Sequence, residues 1–329
     1  MSAKMIDSFG RTIDYLRLSI TDRCNLRCQY CMPSGCDAKI AHDEVMRFEE
    51  LLRICRILAG LGISTVRITG GEPLVREGAA EFAGELKAIE GIKRVTMTTN
   101  GILLGGHLQS LARAGLDAVN ISLDTLDEEK FRRLTKCEGV AVVLSAVDSA
   151  LALGLDVKIN CVPLRGFNED DIVQLAALAK DKNIAVRFIE LMPLGAAASM
   201  QPVPVSEVIA RIEKSFGALR LSPEKIGSGP AVYHTLEGFT GYIGIIGALS
   251  CRYCEGCNRL RITAAGILKP CLSSDLGLDL RRLVRSGASA GEIETAVREL
   301  TAKKPAGHNF GAAGEKTKHR RTEIFRIGG

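Results

Sequence analysis

The sequence predicts an α/β chain in which a parallel sheet curls into a barrel or partial barrel and carries a smaller C-terminal domain. Two observations predict it. Short β-rich runs at residues 15–21, 65–69, 94–99, 118–123, 157–163 and 185–191 recur with helical stretches between them, and parallel strands joined by right-handed crossovers curl a sheet in this way. Polar residues also collect where the runs end: Thr69, Gly70, Gly71 and Glu72 after the second, Thr98 and Asn100 at the third, Ser122 and Asp124 at the fourth, Glu190 and Met192 at the sixth. The C-terminal rim of such a barrel is where active sites are built.

The first helix follows from its period. Phe48, Leu51, Leu52, Cys55 and Leu58 fall on one face and Arg47, Glu49, Glu50, Arg53 and Arg56 largely on the other, with Gly60 and Gly62 expected to end it. A later helix is expected to start at Asn168, capped by that side chain, with Asp171 three positions on and Ile172, Leu175, Ala176 and Leu178 beyond. After Met192 the pattern changes to a proline-bearing stretch, a helix over 205–216 and then glycine-rich material. A boundary near 222 divides the chain into a barrel domain, 1–222, and a C-terminal domain, 223–329. A last helix over 291–304 leads into a polar, basic tail whose composition suits disorder.

With 46% hydrophobic residues in 329, the chain can bury a sizeable core, and its formal charge of +5 is spread rather than gathered in one block. No nucleic-acid partner is expected. The N-terminus has no apolar stretch after Lys4, and the apolar segment 239–249, broken by Gly241, Gly244 and Gly247, is too short to span about 30 Å of hydrocarbon. A cytoplasmic protein without a membrane partner is expected. In that compartment eleven cysteines argue for metal ligation rather than disulfides. Cys24, Cys28, Cys31 and Cys36 crowd the front and Cys251, Cys254, Cys257 and Cys271 the back, whereas Cys55, Cys137 and Cys161 stand alone as small buried hydrophobes.

Cys24, Cys28 and Cys31 have the spacing CxxxCxxC on a loop directly after the first strand, so three thiolates can converge on one iron–sulfur cube whose fourth iron stays open. Cys36 as a fourth ligand would instead give a closed cluster or a zinc site. At the back, Cys254 and Cys257 form CxxC, with thirteen residues between Cys257 and Cys271. Cys251 could complete a zinc ribbon there. Arg259 and Arg261 lie two apart beside these cysteines, so in an extended segment both point to one face and can hold an anionic ligand.

Cys24, Cys28 and Cys31, with Tyr30 before the last, resemble the signature of the radical SAM superfamily. The resemblance implies that the open iron of a [4Fe-4S] cluster chelates S-adenosylmethionine and cleaves it to a 5'-deoxyadenosyl radical. The strip from Thr69 to Pro73, GGEP, resembles the superfamily's glycine-rich contact to the methionine amine, and Gly71, Tyr30, Ser122 and Met192 are the positions it implies for S-adenosylmethionine. The back motif CxxCNRxR with Cys271 and the terminal Gly328-Gly329 narrow the resemblance to the molybdenum-cofactor family of GTP 3',8-cyclases, over nearly the whole chain. That family implies an incomplete, TIM-like (β/α)6 barrel with a C-terminal domain closing its open side, and a second [4Fe-4S] cluster on Cys254, Cys257 and Cys271 that binds guanine. It further implies GTP contacts from Arg17, Arg67, Thr98, Lys158, Arg259, Leu260 and Arg261, with the basic side chains facing the barrel mouth, and a catalytic role for Gly328 and Gly329.

The reaction so implied removes hydrogen from ribose C3', joins C3' to guanine C8 and yields 3',8-cyclo-7,8-dihydro-GTP on the route to molybdopterin. A homodimer, a reductant protein and a downstream pyranopterin-forming enzyme are the expected partners. Two rivals stand beside this reading: another two-cluster radical SAM enzyme, such as a peptide-maturing one, and a zinc-ribbon module docking nucleic acid through the basic tail.

Overall fold

Alternation along each strand sorts the side chains onto two unlike faces. The computed structural model describes residues 4–32, 40–224, 226–250, 253–308, 310 and 325. In chain order it builds β1 (Tyr15–Ser19), α1 (Phe48–Gly60), β2 (Thr65–Thr69), α2 (Ala79–Lys87), β3 (Arg94–Thr99), α3 (Leu104–Arg113), β4 (Ala118–Ser122), α4 (Glu128–Thr135), α5 (Val140–Ala152), β5 (Asp156–Cys161), α6 (Ile172–Asp181) and β6 (Ala185–Ile189). Leu16, Leu18, Val66, Ile68, Val119, Ile121, Ile159 and Val186 have no exposed surface and share one apolar core. Their strand neighbours one residue out of phase include arginine, lysine, threonine and asparagine, so the opposite face of the same sheet is polar.

The chain then forms α7 (Val205–Phe216), β7 (Arg220–Leu221), β8 (Val232–Thr235), β9 (Tyr242–Ile246), β10 (Arg259–Ile262), β11 (Ile267–Lys269), β12 (Leu278–Asp279), α8 (Leu280–Arg285) and α9 (Ala290–Ala302). The six expected strands pair in sequence order, all parallel, within one twelve-stranded sheet of order β12-β11-β10-β1-β2-β3-β4-β5-β6-β9-β8-β7. The later part of the chain reaches both edges of this sheet: β10 joins β1 and β9 joins β6, each in parallel. The sheet is therefore extended on both sides by the segment that follows the barrel strands.

Local chemistry explains the element ends. The Glu50 carboxylate accepts the Arg47 N–H at 2.7 Å to open α1, and Asp127 accepts the Lys130 N–H at 2.8 Å at the start of α4. Asn168 departs from the expected cap. Asp171 occupies the cap position of α6 without a side-chain capping bond, while fully buried Asn168 accepts from Leu164 N at 2.6 Å and donates to the Asp124 carbonyl at 2.8 Å. Its amide fastens the β4 and β5 ends together, a stronger demand on a buried polar group than a helix start. Cys55 and Cys161 are buried as expected, but Cys137 is only half-buried and lies 3.6 Å from the Asn25 carbonyl. No helix among the described residues is long and apolar enough to cross a membrane.

Gly241 shows how tightly β9 sits on β6: a Cβ there would lie 2.6 Å from the Lys182 carbonyl oxygen and closer still to that of Ile184. Gly60, in the last turn of α1, has nothing within 4 Å of such a Cβ. Gly241→Ala is expected to destabilise the protein by about 1–3 kcal/mol and Gly60→Ala to stabilise it by about 0.5–1 kcal/mol. Thermal melts of the two variants should shift in opposite directions.

Candidate active site between two cysteine triads

The front triad rests on a glycine contact. Gly71 N–H donates to Thr21 O and Glu72 N–H to Arg23 O, both at 2.8 Å, so the end of β2 lies directly on residues 21–23, the approach to Cys24. A Cβ on Gly71 would lie 2.7 Å from the Arg23 carbonyl carbon, and one on Gly70 2.6 Å from Thr21 O. The sequence assigned these glycines to a ligand contact; the protein's own backbone already requires them. Buried Glu72 extends the tie, accepting from Leu74 N at 3.0 Å, Thr99 Oγ1 at 2.9 Å and Asn100 N at 2.7 Å. Burial nevertheless pushes its pKa up to about 7. Asn100 then donates to Asn25 Oδ1 at 2.8 Å and reaches Cys24 Sγ at 3.8 Å.

Within the loop, Cys31 N–H donates to Cys28 O at 3.0 Å. Burial pushes the Cys28 thiol well up, and Cys31, Asp124 and Cys24 push it further, so the three thiols are electrostatic neighbours. Tyr30 donates to Asp124 Oδ2 at 2.8 Å, while the other carboxylate oxygen accepts Val162 N–H at 2.8 Å. Ser122 ends β4 and Met192 follows β6, both half-buried on the same rim.

The back triad forms at the other end of the barrel. Strands β10 and β11 pair antiparallel with Arg261 opposite Lys269, which brings Cys257, just before β10, beside Cys271, just after β11. Because β10 runs parallel to β1 with Arg259 opposite Tyr15, that end lies at the N-terminal ends of the barrel strands. The front triad follows the C-terminal end of β1. For Cys254, burial raises the thiol pKa and Cys271 and Cys257 add to it; for Cys257, burial also raises it, but Lys304 and Arg259 outweigh burial and leave it lowered. Among the described residues no three His, Cys, Asp or Glu side chains are placed to hold a single metal ion. The thiols of each triad would bind separate irons of one cluster. Cys36 and Cys251, the candidate fourth ligands, lie outside the described residues, as do Gly328 and Gly329.

Between the triads the polar face of the sheet carries a dense set of cations. Arg261, Arg17 and Arg67 stand side by side in register on β10, β1 and β2, next to Thr96 on β3. Thr98, Asn120 and Lys158 form a second row across β3, β4 and β5, and Ser122, Asn160 and Arg187 a third across β4, β5 and β6. No ion pair among the described residues involves Arg67, Lys158, Arg187, Arg259 or Arg261. Arg67 Nε, Thr96 Oγ1, Thr98 Oγ1, both amide atoms of Asn120, Asn160 Oδ1, Arg187 Nε and an Arg261 nitrogen are buried without a hydrogen-bond partner. Such a concentration of unsatisfied buried groups marks a place for a polar, anionic ligand.

Electrostatics agree. Burial, then Arg261 and Arg67, lower the Arg17 pKa strongly, and burial with Arg187, Arg67 and Arg94 brings Lys158 down to about 7. The Tyr15 phenol, which burial alone would raise, is lowered by Arg67, Arg17, Arg259 and Arg187. A cavity lined by Tyr15, Arg67, Asn120, Lys158, Arg187 and Gly227 opens toward the N-terminal strand ends. The sequence reading had the cations facing a barrel mouth; register places them in rows across the sheet's polar face. Leu260 points the other way and is fully buried in the apolar core, leaving only its backbone to the interior.

The sequence profile of the Radical SAM superfamily matches residues 18–179, and that of Molybdenum Cofactor Synthesis C matches residues 184–310. GTP 3',8-cyclase of Moorella thermoacetica is 44% identical over 309 residues, covering 93% of this chain and 95% of its own. The enzyme of that name from Clostridium perfringens is 42% identical over 325 residues, covering 99% of this chain and 100% of its own. This chain belongs to the GTP 3',8-cyclase family. Among solved structures, Streptococcus suis SuiB bound to S-adenosylmethionine superposes with a TM-score of 0.62 at 13% identity over 88% of this cyclase-family chain and 68% of SuiB, a likeness of fold.

Arg187 and Asn120 escaped the sequence reading, although Arg187 carried a usable signal. The runs YLRLS, TVRIT, DVKIN and AVRFI each set one basic residue between apolar neighbours at the third strand position. Gly244 leaves room for it: a Cβ there would lie 2.7 Å from Arg187 Cγ.

Lys158 yields a pH-dependent prediction. Its folded pKa of about 7 lies below the ordinary 10.5, so the folded protein carries a penalty of up to about 5 kcal/mol, fully present below about pH 7 and relieved as pH rises toward 10.5. Lys158→Met should raise the thermal midpoint of the iron-free, ligand-free protein at pH 6, and the difference from wild type should shrink by pH 9. An unchanged midpoint at pH 6 would show that the ammonium is not strained there.

Proposed function

We propose that this chain cyclises GTP to (8S)-3',8-cyclo-7,8-dihydroguanosine 5'-triphosphate, an early step of molybdenum cofactor biosynthesis, with two [4Fe-4S] clusters and S-adenosylmethionine as cofactors. The observation that carries the reading is a set of cations inside a barrel, without ion pairs among the described residues, with a cysteine triad at each end. Buried, mutually repelling thiols suit a cationic iron core, and orphaned cations and amides suit a triphosphate nucleotide. Cys24, Cys28 and Cys31 would hold the front cluster and Cys254, Cys257 and Cys271 the back one. When bound, the front cluster and S-adenosylmethionine supply the one-electron chemistry that removes hydrogen from an unactivated carbon.

The chain's own residues contribute binding and orientation. Tyr30, Gly71, Ser122 and Met192 are proposed to hold S-adenosylmethionine at the C-terminal rim. Arg17, Arg67, Thr98, Lys158, Arg259, Arg261 and the Leu260 backbone are proposed to hold GTP, with Arg187 and Asn120 added on their geometry. Arg187 and Lys158 stand together near Tyr233, Lys158 Nζ 3.4 Å from its hydroxyl, so they can fix one end of an extended anion. Fixing the ribose against the rim in this way lowers the entropic part of the barrier. Gly328 and Gly329 are proposed to support catalysis. The division at residue 222, a cytoplasmic location, a homodimer, a protein reductant and a downstream pyranopterin-forming enzyme belong to the same reading.

Anaerobically reconstituted protein given S-adenosylmethionine, dithionite and GTP deuterated at C3' should place deuterium in 5'-deoxyadenosine, read by mass spectrometry. Undeuterated 5'-deoxyadenosine formed at full yield would leave radical chemistry standing and sink the assignment of GTP C3' as the hydrogen donor.

A further inference from the structure

Lys304 follows α9 by two residues and is 2% exposed. An ammonium is among the costliest groups to bury without a counter-charge, yet no ion pair among the described residues involves Lys304. Its Nζ donates to the Arg259 carbonyl at 2.9 Å and to the Pro270 carbonyl at 2.6 Å. Those acceptors lie two residues after Cys257 and one residue before Cys271. An ammonium has three donors, and the two carbonyls that hold this one bracket the back triad.

Arg11 provides the contrast. Its guanidinium grips the same segment, donating to Pro305 O at 2.7 Å, Ala306 O at 3.0 Å and Cys254 O at 2.8 Å. It has its own carboxylate, Asp7, at 2.6 Å. Two buried cations thus flank the back triad, one paired with a carboxylate and the other, among the described residues, paired with none. The acidic groups that Lys304 stands beside are the cysteines of the triad.

We propose that Lys304 is a positioning residue that compensates charge at the back site, raising the reduction potential of the cluster held by Cys254, Cys257 and Cys271. This rests on the reading of that triad as a cluster site. One electron from an external low-potential donor enters the iron core, no bond is made or broken, and the added negative charge is stabilised by the fixed ammonium beside Cys257. Net charge and hydrogen bonds to sulfur are the protein's ordinary means of setting such potentials.

The test is a redox titration of the anaerobically reconstituted full chain, followed by electron paramagnetic resonance, with wild type, Lys304→Met, Lys304→Gln and Lys304→Arg compared. Lys304→Met and Lys304→Gln should lower the midpoint of the back cluster and leave that of the front cluster in place; Lys304→Arg should restore most of the shift. The glutamine variant keeps an amide donor without the charge, so it carries the measurement if the methionine variant loses iron. Full iron content with an unmoved back midpoint in Lys304→Gln overturns the proposal. If wild type and a Cys254→Ala, Cys257→Ala, Cys271→Ala variant bind equal iron, the cluster reading of that triad is what has failed, and the proposal falls with it.

Discussion

Positive charge enclosed with no ion-paired carboxylate among the described residues is the constraint on which the rest of this structure depends. Arg67, Lys158, Arg187, Arg259 and Arg261 occupy one face of the sheet, and the pKa values of Lys158, Arg187 and Arg261 are depressed, by burial first, with neighbouring cations the next influence that lowers them. A folded protein tolerates this because the opposite face is wholly apolar and contributes roughly 1.5–3 kcal/mol for each large side chain it buries. A βα barrel ordinarily fills its interior with packed side chains. Here it is lined instead with donors that find few partners in the chain, and a bound nucleotide would supply what they lack.

The C-terminal part of the chain makes that interior usable. By adding β10 to one edge and β9 to the other, it extends the six-stranded core on both sides and carries a second cysteine triad to the end opposite the first. Two contacts of similar kind hold the ends. At the front, Gly70 and Gly71 let the β2 end lie against the backbone leading to Cys24, and Glu72 and Asn100 continue the tie to β3. At the back, Arg11 and Lys304 clasp residues 304–306 to the carbonyls around Cys254, Cys257 and Cys271. Glu72 at the front and Arg11 and Lys304 at the back, none of them a proposed ligand or substrate contact, help determine where the thiols stand.

The strands, the helix over 205–216 and both triads were legible in the sequence because each depends on local period or spacing. What escaped depends on register. Nothing local distinguishes Arg187 as interior until the strands are aligned, although its position between apolar neighbours repeats that of Arg17, Arg67 and Lys158. Asn168 resembles a helix cap in sequence, but the loops it joins, at Leu164 and Asp124, meet only after β4 and β5 pair. The cations were assigned to the barrel mouth because the sequence shows that they lie on strands but not how far along them the neighbouring strands are matched. Lys304 carried no signal at all: in sequence it is one more basic residue ahead of a basic tail.

The central claim is that the interior charge exists to hold a polyphosphate. Equilibrium binding of GTP, GMP and guanosine to the anaerobically reconstituted protein, each at low and high salt, tests it most directly. Affinity is expected to fall in that order, and added salt to weaken GTP far more than guanosine. Guanosine binding as tightly as GTP, with no dependence on salt, would contradict it.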